Sequence, residues 1–253
     1  MLSYHNDASL KSLVVQEMQK HQEQDQFIKR SYGREHNGKF KGCAVGCTID
    51  SVNVLLEKTY NTSSHTVLEE ALGVPVWLSR LQDSFFESLP VGENSQFAVD
   101  FLEAIPVGIN LEPVKWKFCA FLMREGIERV LGLPHVSDAL REQVVSAIRG
   151  VLALHEKAIE TGEWDLEAAV SAWSAAESVE SEARSVSASA VESASRAAAA
   201  SAVASASRAA EAAVEAAVES AAWAARSEAA EAAEAAAYKR YAAELIRLLK
   251  EAV

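Results

Sequence analysis

The last third of the chain contains neither glycine nor proline. From Glu163 to Val253 the sequence is dominated by alanine, interspersed with serine, glutamate and arginine. Alanine has the highest helix propensity of all residues, and glycine and proline oppose a helix most strongly, so this region is predicted to be helical. A single helix from Asp165 to Glu251 would be about 130 Å long, which is too long for one domain of this size. We therefore expect either one long helix with breaks that the sequence does not mark, or several stacked helices.

The first 162 residues are predicted to form a compact core of short helices. Apolar residues recur three and four positions apart throughout this part, and the alternation typical of strands is nearly absent. Glycine and proline at Gly73, Pro75, Pro90 and Pro106 divide the pattern into short segments. The predicted fold class is therefore all-α, with this core packed against the alanine-rich long-helix or stacked-helix array.

Local signals predict several helix ends and the domain organisation. Thr66 and Glu69 match the T-x-x-E capping box, and Ser137 is a suitable N-cap for the segment that follows it. The chain ends in "YKRYAAELIRLLKEAV", whose apolar stripe predicts an amphipathic helix. We expect a helical core at 1–162 and an Ala/Ser-rich helical region at 163–253, packed together as one unit.

Composition excludes several classes of function. The net charge of −12 and the pI near 5.0 argue against general nucleic-acid or anionic-membrane binding, because phosphate groups repel an acidic surface. Three cysteines without a regular framework favour a reducing compartment. The N-terminal sequence lacks the pattern of a secretion signal, and no apolar run is long enough for a membrane span. We expect a cytoplasmic protein, in the host cytoplasm if it is encoded by a phage.

One short stretch contrasts with this acidic composition. Residues 29–50 read "KRSYGREHNGKFKGCAVGCTID", and 29–42 form a glycine-rich basic loop in which five cationic residues stand against one anionic residue, Glu35. Glycines allow a backbone to approach a ligand closely, and the N–H groups of a helix that begins near Gly42–Cys43 would attract phosphate. The loop is therefore predicted to bind a small anion, the alternative being a mobile, solvated connection. The predicted ligand-binding residues are Lys29, Arg30, Tyr32, Arg34, Lys39, Lys41, Gly42 and Cys43.

The two cysteines of this stretch have three interpretations, which are a metal site, close packing and a redox-active thiol. Cys43 and Cys47 are four residues apart and share one helical face, so His36 or His65 could join them in a zinc site. A C-x₃-C pair without a second pair is a weak signal, and small residues at this spacing more often allow close packing. We expect packing, with no metal and no cofactor.

Pairs of acidic and imidazole groups offer a weaker case for catalysis. His65 and Glu69, and likewise Asp83 and Glu87, are four residues apart on helical segments. Two carboxylates held close together can separate their pKa values and perform acid–base chemistry. A solvated helix face explains such pairs more often, so no catalytic residue is predicted.

The order of motifs is similar to that of a known family. The segments "GCAVGCT", "LGVPVWLSRLQDSFFESLP" and "FLEAIPVGINLEPV", followed by the alanine-rich tail, resemble a family of uncharacterised bacterial and bacteriophage proteins with a GCAVGC-type core. The family's motifs carry no settled chemistry, so no catalytic residue is transferred. The resemblance implies a setting in which small phage proteins counter host defences.

Two principal hypotheses of function follow. The first is a non-enzymatic, anti-defence binding protein that sequesters a small anionic, nucleotide-derived signalling molecule in the basic loop. The second is a protein–protein inhibitor or scaffold that acts through the alanine-rich helices; an enzyme that uses Asp83 and Glu87 or His65 ranks last. A homo-oligomer is a further alternative, because alanine faces bury too little area to hold a lone helix in place.

Overall fold

The computed structural model describes residues 1–36, 38–133, 136–185, 196, 198 and 231–253. Within these residues the chain forms nine α-helices, two short strands and one 3₁₀ turn, which confirms the prediction of an all-α fold. The expected long or stacked helices of the alanine-rich region fall largely outside the described residues. No helix in the described ranges is long and apolar enough to cross a membrane.

The helices differ in length between the two parts of the chain. They are α1 (Ala8–Glu23), α2 (Ala44–Leu56), α3 (Thr66–Leu72), α4 (Val76–Ser88), α5 (Glu93–Ala104), α6 (Glu112–Gly132), α7 (Asp138–Thr161), α8 (Leu166–Ser185) and α9 (Glu231–Lys250). The strands β1 (Arg34–His36) and β2 (Lys39–Lys41) pair antiparallel, with Arg34 opposite Lys41. The 3₁₀ turn spans Ser3–Asn6.

The chain divides into two compact units. The first comprises Met1–Glu112 and Ala242–Val253, and the second comprises Pro113–Tyr241. In the first unit α1 packs against α2 and α5, and α4 packs against the same two helices. Fully buried side chains between these helices include Met18, Ile49, Trp77, Phe85 and Phe101. In the second unit α7 packs along α8, and the rings of His155 and Trp164 lie 5.0 Å apart.

Helix ends follow the sequence signals in most places. Ser137 caps α7 as predicted, with its hydroxyl accepting a 3.3 Å hydrogen bond from the Leu140 N–H. The capping box at Thr66 is wrong, because Thr66 is already the first residue of α3 and the preceding His65 makes no side-chain capping bond. The side chain of His65 turns instead to α4, where its Nδ1 lies 3.0 Å from the Ser79 hydroxyl.

The basic loop is more ordered than the sequence indicates. The α1 helix ends at Glu23, and the segment that follows it pairs with Gly42. The Gly42 N–H donates to the Gln26 carbonyl at 3.0 Å, and the Ile28 N–H donates to the Gly42 carbonyl at 2.9 Å. The β1–β2 hairpin then occupies most of the stretch that was predicted to be an irregular loop.

Candidate functional site

A cavity of about 430 Å³ opens in the first unit, within the size range of small-molecule sites. It lies between the segment that precedes β1, the first turn of α2 and one face of α4. Its lining residues are Arg30, Ser31, Tyr32, Cys43, Asp83 and Glu87. We call this cavity the α2–α4 pocket.

The segment before β1 is anchored to the end of α4. The Lys29 ammonium donates hydrogen bonds of 2.7 and 2.5 Å to the carbonyl oxygens of Glu87 and Leu89. These carbonyls belong to the last turn of α4, where a cation is favoured by the helix dipole. The next N–H along the chain, that of Arg30, donates to Oε1 of Glu87 at 2.8 Å. Arg30 is held there in a left-handed conformation, with φ at 60°.

The same segment also lies directly on α2. The Tyr32 carbonyl is so close to Gly46 that a Cβ at position 46 would overlap it. The Cys43 N–H donates a 2.6 Å hydrogen bond to the Ser31 carbonyl. Cys43 is the N-cap of α2, and its Sγ accepts from the Gly46 N–H at 3.4 Å. Gly46 therefore accommodates the backbone of this loop segment.

A network of polar side chains forms one wall of the pocket. The Tyr32 hydroxyl donates to Oδ2 of Asp83 at 2.9 Å and lies 3.4 Å from Nε2 of His65. Nε2 of His65 is 3.8 Å from Oδ2 of Asp83, and Nδ1 contacts the Ser79 hydroxyl. Burial lowers the pKa of His65, and the negative charge of Asp83 opposes that shift. The network fixes the position of the Asp83 carboxylate.

The innermost wall combines a thiol and two carboxylates. Sγ of Cys43 and one oxygen each of Asp83 and Glu87 all lie within 4.8 Å of one another. Burial raises the pKa of the Cys43 thiol, and the charge of Asp83 raises it further. Burial also raises the pKa of Glu87, against the opposing hydrogen bond from the Arg30 N–H. Oδ1 of Asp83 is buried, and no N–H or O–H donor among the described residues reaches it.

Three of the eight predicted ligand-binding residues line the pocket, namely Arg30, Tyr32 and Cys43. The backbone N–H groups of Gly42 and Cys43 were expected to bind the ligand. Both donate instead to carbonyls of the protein, those of Gln26 and Ser31. Both N–H groups are therefore already hydrogen-bonded within the protein, and neither is left to donate to a ligand in the pocket.

The remaining cations of the basic stretch do not converge on the cavity. The Lys29 ammonium is bonded to the end of α4. The Lys41 ammonium is 3.9 Å from a carboxylate oxygen of Asp25. Arg34 and Lys39 are exposed on the two strands of the hairpin. The pocket lining thus has one cationic side chain, Arg30, and two carboxylates.

Two of the lining residues, Asp83 and Glu87, were considered in the sequence analysis but were expected to be exposed to solvent. Asp83 and Glu87 were interpreted as a solvated face, whereas both are partly buried and directed at the loop. Their i, i+4 spacing was the available signal. Ser79 was missed, because a serine in a helix carries no pattern that marks a contact with a histidine fourteen residues earlier.

No protein-family model, curated protein or solved structure matches this chain. The resemblance to a bacterial and bacteriophage family therefore stays a prediction.

Proposed function

We propose that this protein binds a small polar molecule in the α2–α4 pocket without transforming it. The supporting observation is convergence: three separated chain segments bring an arginine, a serine, a tyrosine, a cysteine and two acidic residues to the lining of a single cavity of about 430 Å³. Each segment is fixed by hydrogen bonds to its neighbours, so the lining is formed before any ligand arrives. Pre-formed cavities with a few directed polar groups are typical of ligand-binding sites.

The lining defines the chemistry of the ligand. The Arg30 guanidinium suits a phosphate or carboxylate group, which it can bind through two parallel N–H bonds. Tyr32 is among the lining residues and is 39 % exposed, and a tyrosine ring can stack with an aromatic ring of a ligand. A ligand with a ring and a phosphate, as in a nucleotide-derived signal, fits these two groups.

The two carboxylates impose a further requirement. Buried carboxylates are stable only when a cation or N–H donors face them. Asp83 and Glu87 would therefore repel a purely anionic ligand unless a positive group lies between them and it. The proposed ligand is thus bound with a counter-charge at this wall. An anti-defence role and the alternative role as a scaffold stay predictions.

Titration against a panel of compounds tests the proposal. The panel contains nucleoside monophosphates, cyclic dinucleotides and inorganic phosphate, each with and without divalent cations, and binding is measured by calorimetry and thermal melting. We expect at least one nucleotide to raise the melting temperature, because ligand binding stabilises the native state by mass action. Mass spectrometry of small molecules released on denaturation identifies any compound that is carried through purification.

Two variants locate the site. Arg30→Ala removes the only cation of the lining and should weaken binding tenfold or more, the typical loss when a charge-assisted hydrogen bond is removed. Lys39→Ala removes an exposed cation of the same stretch that lies off the pocket, and binding should be unchanged. Equal losses in both variants, or no binding by any compound of the panel, would overturn the proposal.

A further inference from the structure

The thiol and the two carboxylates of the pocket come from different helices. Cys43 is the N-cap of α2, whereas Asp83 and Glu87 lie one turn apart on α4. Their potential ligand atoms already lie within 4.8 Å of one another, and Cys43 is only 1 % exposed. Two carboxylates and a buried thiol thus bring three potential metal ligands to one place. The positive charges of Lys29 and Arg30 act on Glu87.

We propose that Cys43, Asp83 and Glu87 bind one divalent transition-metal ion, with zinc as the ion that best fits the donors. Zinc accepts sulfur and carboxylate ligands in tetrahedral geometry, and three protein ligands with one open position are typical of sites that also bind a further molecule. Calcium and magnesium prefer all-oxygen donor sets, so the thiol argues against them. Zinc–ligand bonds of about 2.0–2.3 Å place tetrahedral donors about 3.5 Å apart, which small side-chain rotations would reach.

The surroundings of the three donors provide independent support. Oδ2 of Asp83 is held by the Tyr32 hydroxyl and approached by His65, which leaves Oδ1, a buried atom that no N–H or O–H donor among the described residues reaches. The neighbouring group that interacts with the Asp83 carboxylate is the Cys43 thiol, which is the proposed sulfur ligand. Oε1 of Glu87 is likewise held by the Arg30 N–H. Metal-binding carboxylates are commonly oriented in this way, with one oxygen hydrogen-bonded to the protein and the other on the ion.

Binding exchanges protons for the metal ion. The S–H bond of Cys43 breaks, a sulfur–metal bond forms, and one proton passes to solvent. Glu87 releases a second proton from any molecules in which it is protonated. Metal affinity should therefore increase with pH. This inference replaces the expectation, drawn from the sequence, that the chain binds no metal.

The metal ion would supply the counter-charge that the proposed function requires. Its open coordination position would face the cavity beside Arg30, so a phosphate could contact both. Only the contact between the metal ion and a ligand phosphate rests on the proposed function, whereas binding of the metal ion by Cys43, Asp83 and Glu87 does not. Uptake of the metal is measured with Zn²⁺ or Co²⁺ alone, so the two proposals can fail separately.

The test uses the full-length protein after treatment with a chelator. We expect calorimetry to show one Zn²⁺ per chain, with proton release that is visible as a dependence of the heat on buffer. Co²⁺ should give the intense near-ultraviolet absorption of a thiolate–cobalt bond. Cys43→Ser should abolish that absorption, and Cys47→Ser should retain it. Serine is a favoured N-cap, so Cys43→Ser should keep α2 folded, which circular dichroism verifies.

The carboxylates are tested with isosteric variants. Asp83→Asn and Glu87→Gln should each weaken Zn²⁺ binding tenfold or more, whereas Asp100→Asn on α5 should leave it unchanged. Absence of stoichiometric binding, or cobalt absorption that survives Cys43→Ser, would overturn the inference. If the protein binds the metal ion but no nucleotide, the metal site is supported and the proposed function is rejected. If it binds a nucleotide but no metal ion, the proposed function is supported and the metal site is rejected.

Discussion

The phenolic hydroxyl of Tyr32 donates a 2.9 Å hydrogen bond to Oδ2 of Asp83, across fifty-one positions of sequence. The Tyr32 ring also meets the His65 ring edge to face, with centroids 5.8 Å apart. Tyr32 therefore contacts both His65, the residue before α3, and Asp83, in the middle of α4. The contact positions both a wall of the pocket and one of its carboxylates.

Removing only this hydroxyl should affect binding more than folding. Tyr32→Phe keeps the ring but frees Oδ2 of Asp83, so we expect the dissociation constant for Zn²⁺ or a bound nucleotide to rise several-fold. The hydrogen bond is partly exposed, so the free energy of unfolding should fall by about 1 kcal/mol or less. Calorimetry and urea unfolding measure the two quantities.

Tyr60→Phe is the matched control for this variant. The Tyr60 hydroxyl donates to Oε1 of Glu70 at 3.0 Å, away from the pocket. A loss of affinity in Tyr60→Phe equal to that in Tyr32→Phe would contradict the assigned role of Tyr32.

The close contact between Tyr32 and Gly46 predicts a strong effect of a single methyl group. In Gly46→Ala the new Cβ would overlap the Tyr32 carbonyl, and backbone must move to accept it. Overpacking of this kind costs about 1–3 kcal/mol. In Gly150→Ala the new Cβ meets no heavy atom of the described residues within 4 Å, apart from the neighbouring backbone of its own helix, so that variant should gain about 0.5–1 kcal/mol from helix propensity. Chemical denaturation compares the two, and a stable Gly46→Ala would contradict the described packing.

Elements with local signals could be predicted from the sequence. Prolines and glycines set the limits of α4 and α5, Ser137 caps α7, and α2 begins where the glycine-rich stretch ends. Each of these features depends on residues within one or two turns of one another. Periodicity and capping residues report such short-range constraints directly.

The pocket could not be predicted, because long-range hydrogen bonds build it. After α1 the Gln26 carbonyl accepts a hydrogen bond from the Gly42 N–H, and the Lys29 ammonium is bonded to the end of α4. The sequence analysis assigned Lys29 and Arg30 the same role because both are cationic. In the structure the Lys29 side chain is bonded to the end of α4, whereas Arg30 is a lining residue of the cavity. The i, i+4 spacing of Cys43 and Cys47 indicated close packing, but it did not indicate that the backbone of Tyr32 would lie against Gly46.

The different roles of these neighbouring cations can be measured. Lys29→Met should lower the free energy of unfolding by about 1–2 kcal/mol, since two carbonyls at the end of α4 lose a charged donor. Ligand affinity should change little under conditions in which the variant is fully folded. Arg30→Ala should show the opposite pattern, with weaker binding and a smaller change in stability. Denaturant melts paired with calorimetry distinguish these outcomes, and a large loss of affinity in Lys29→Met would contradict them.

The three cysteines should react slowly in the native protein. All three are buried, and burial raises the pKa values of the Cys43 and Cys47 thiols, so little reactive thiolate is present at neutral pH. With Ellman's reagent we expect three equivalents after denaturation and a much slower reaction before it. Cys43 lines the cavity, so Cys43→Ser should remove the fastest native phase. Rapid native labelling at Cys47 or Cys119 would be inconsistent with their burial.

Stability should depend on pH through His21 at the end of α1. His21 is 6 % exposed, and its Nε2 lies 3.6 Å from a carboxylate oxygen of Asp50. Burial nevertheless lowers the pKa of His21, because desolvation outweighs the attraction of Asp50. The unfolded chain therefore takes up a proton near pH 6.5, the ordinary histidine value, and the native state does so only at lower pH.

Because the unfolded state binds more protons over this interval, the free energy of unfolding should fall as the pH drops below about 6.5. The contribution of one histidine to this slope is at most about 1.4 kcal/mol per pH unit. Burial also raises the pKa of Asp50, which makes an opposite contribution from about pH 3.8 upward and partly offsets the loss. In His21→Gln the free energy of unfolding should depend less steeply on pH between about pH 7.5 and 5.5, as measured by guanidinium unfolding at several pH values. His5 is exposed, so His5→Gln should leave this pH dependence unchanged. An unchanged slope in His21→Gln would show that its imidazole is not held neutral by the α1 packing.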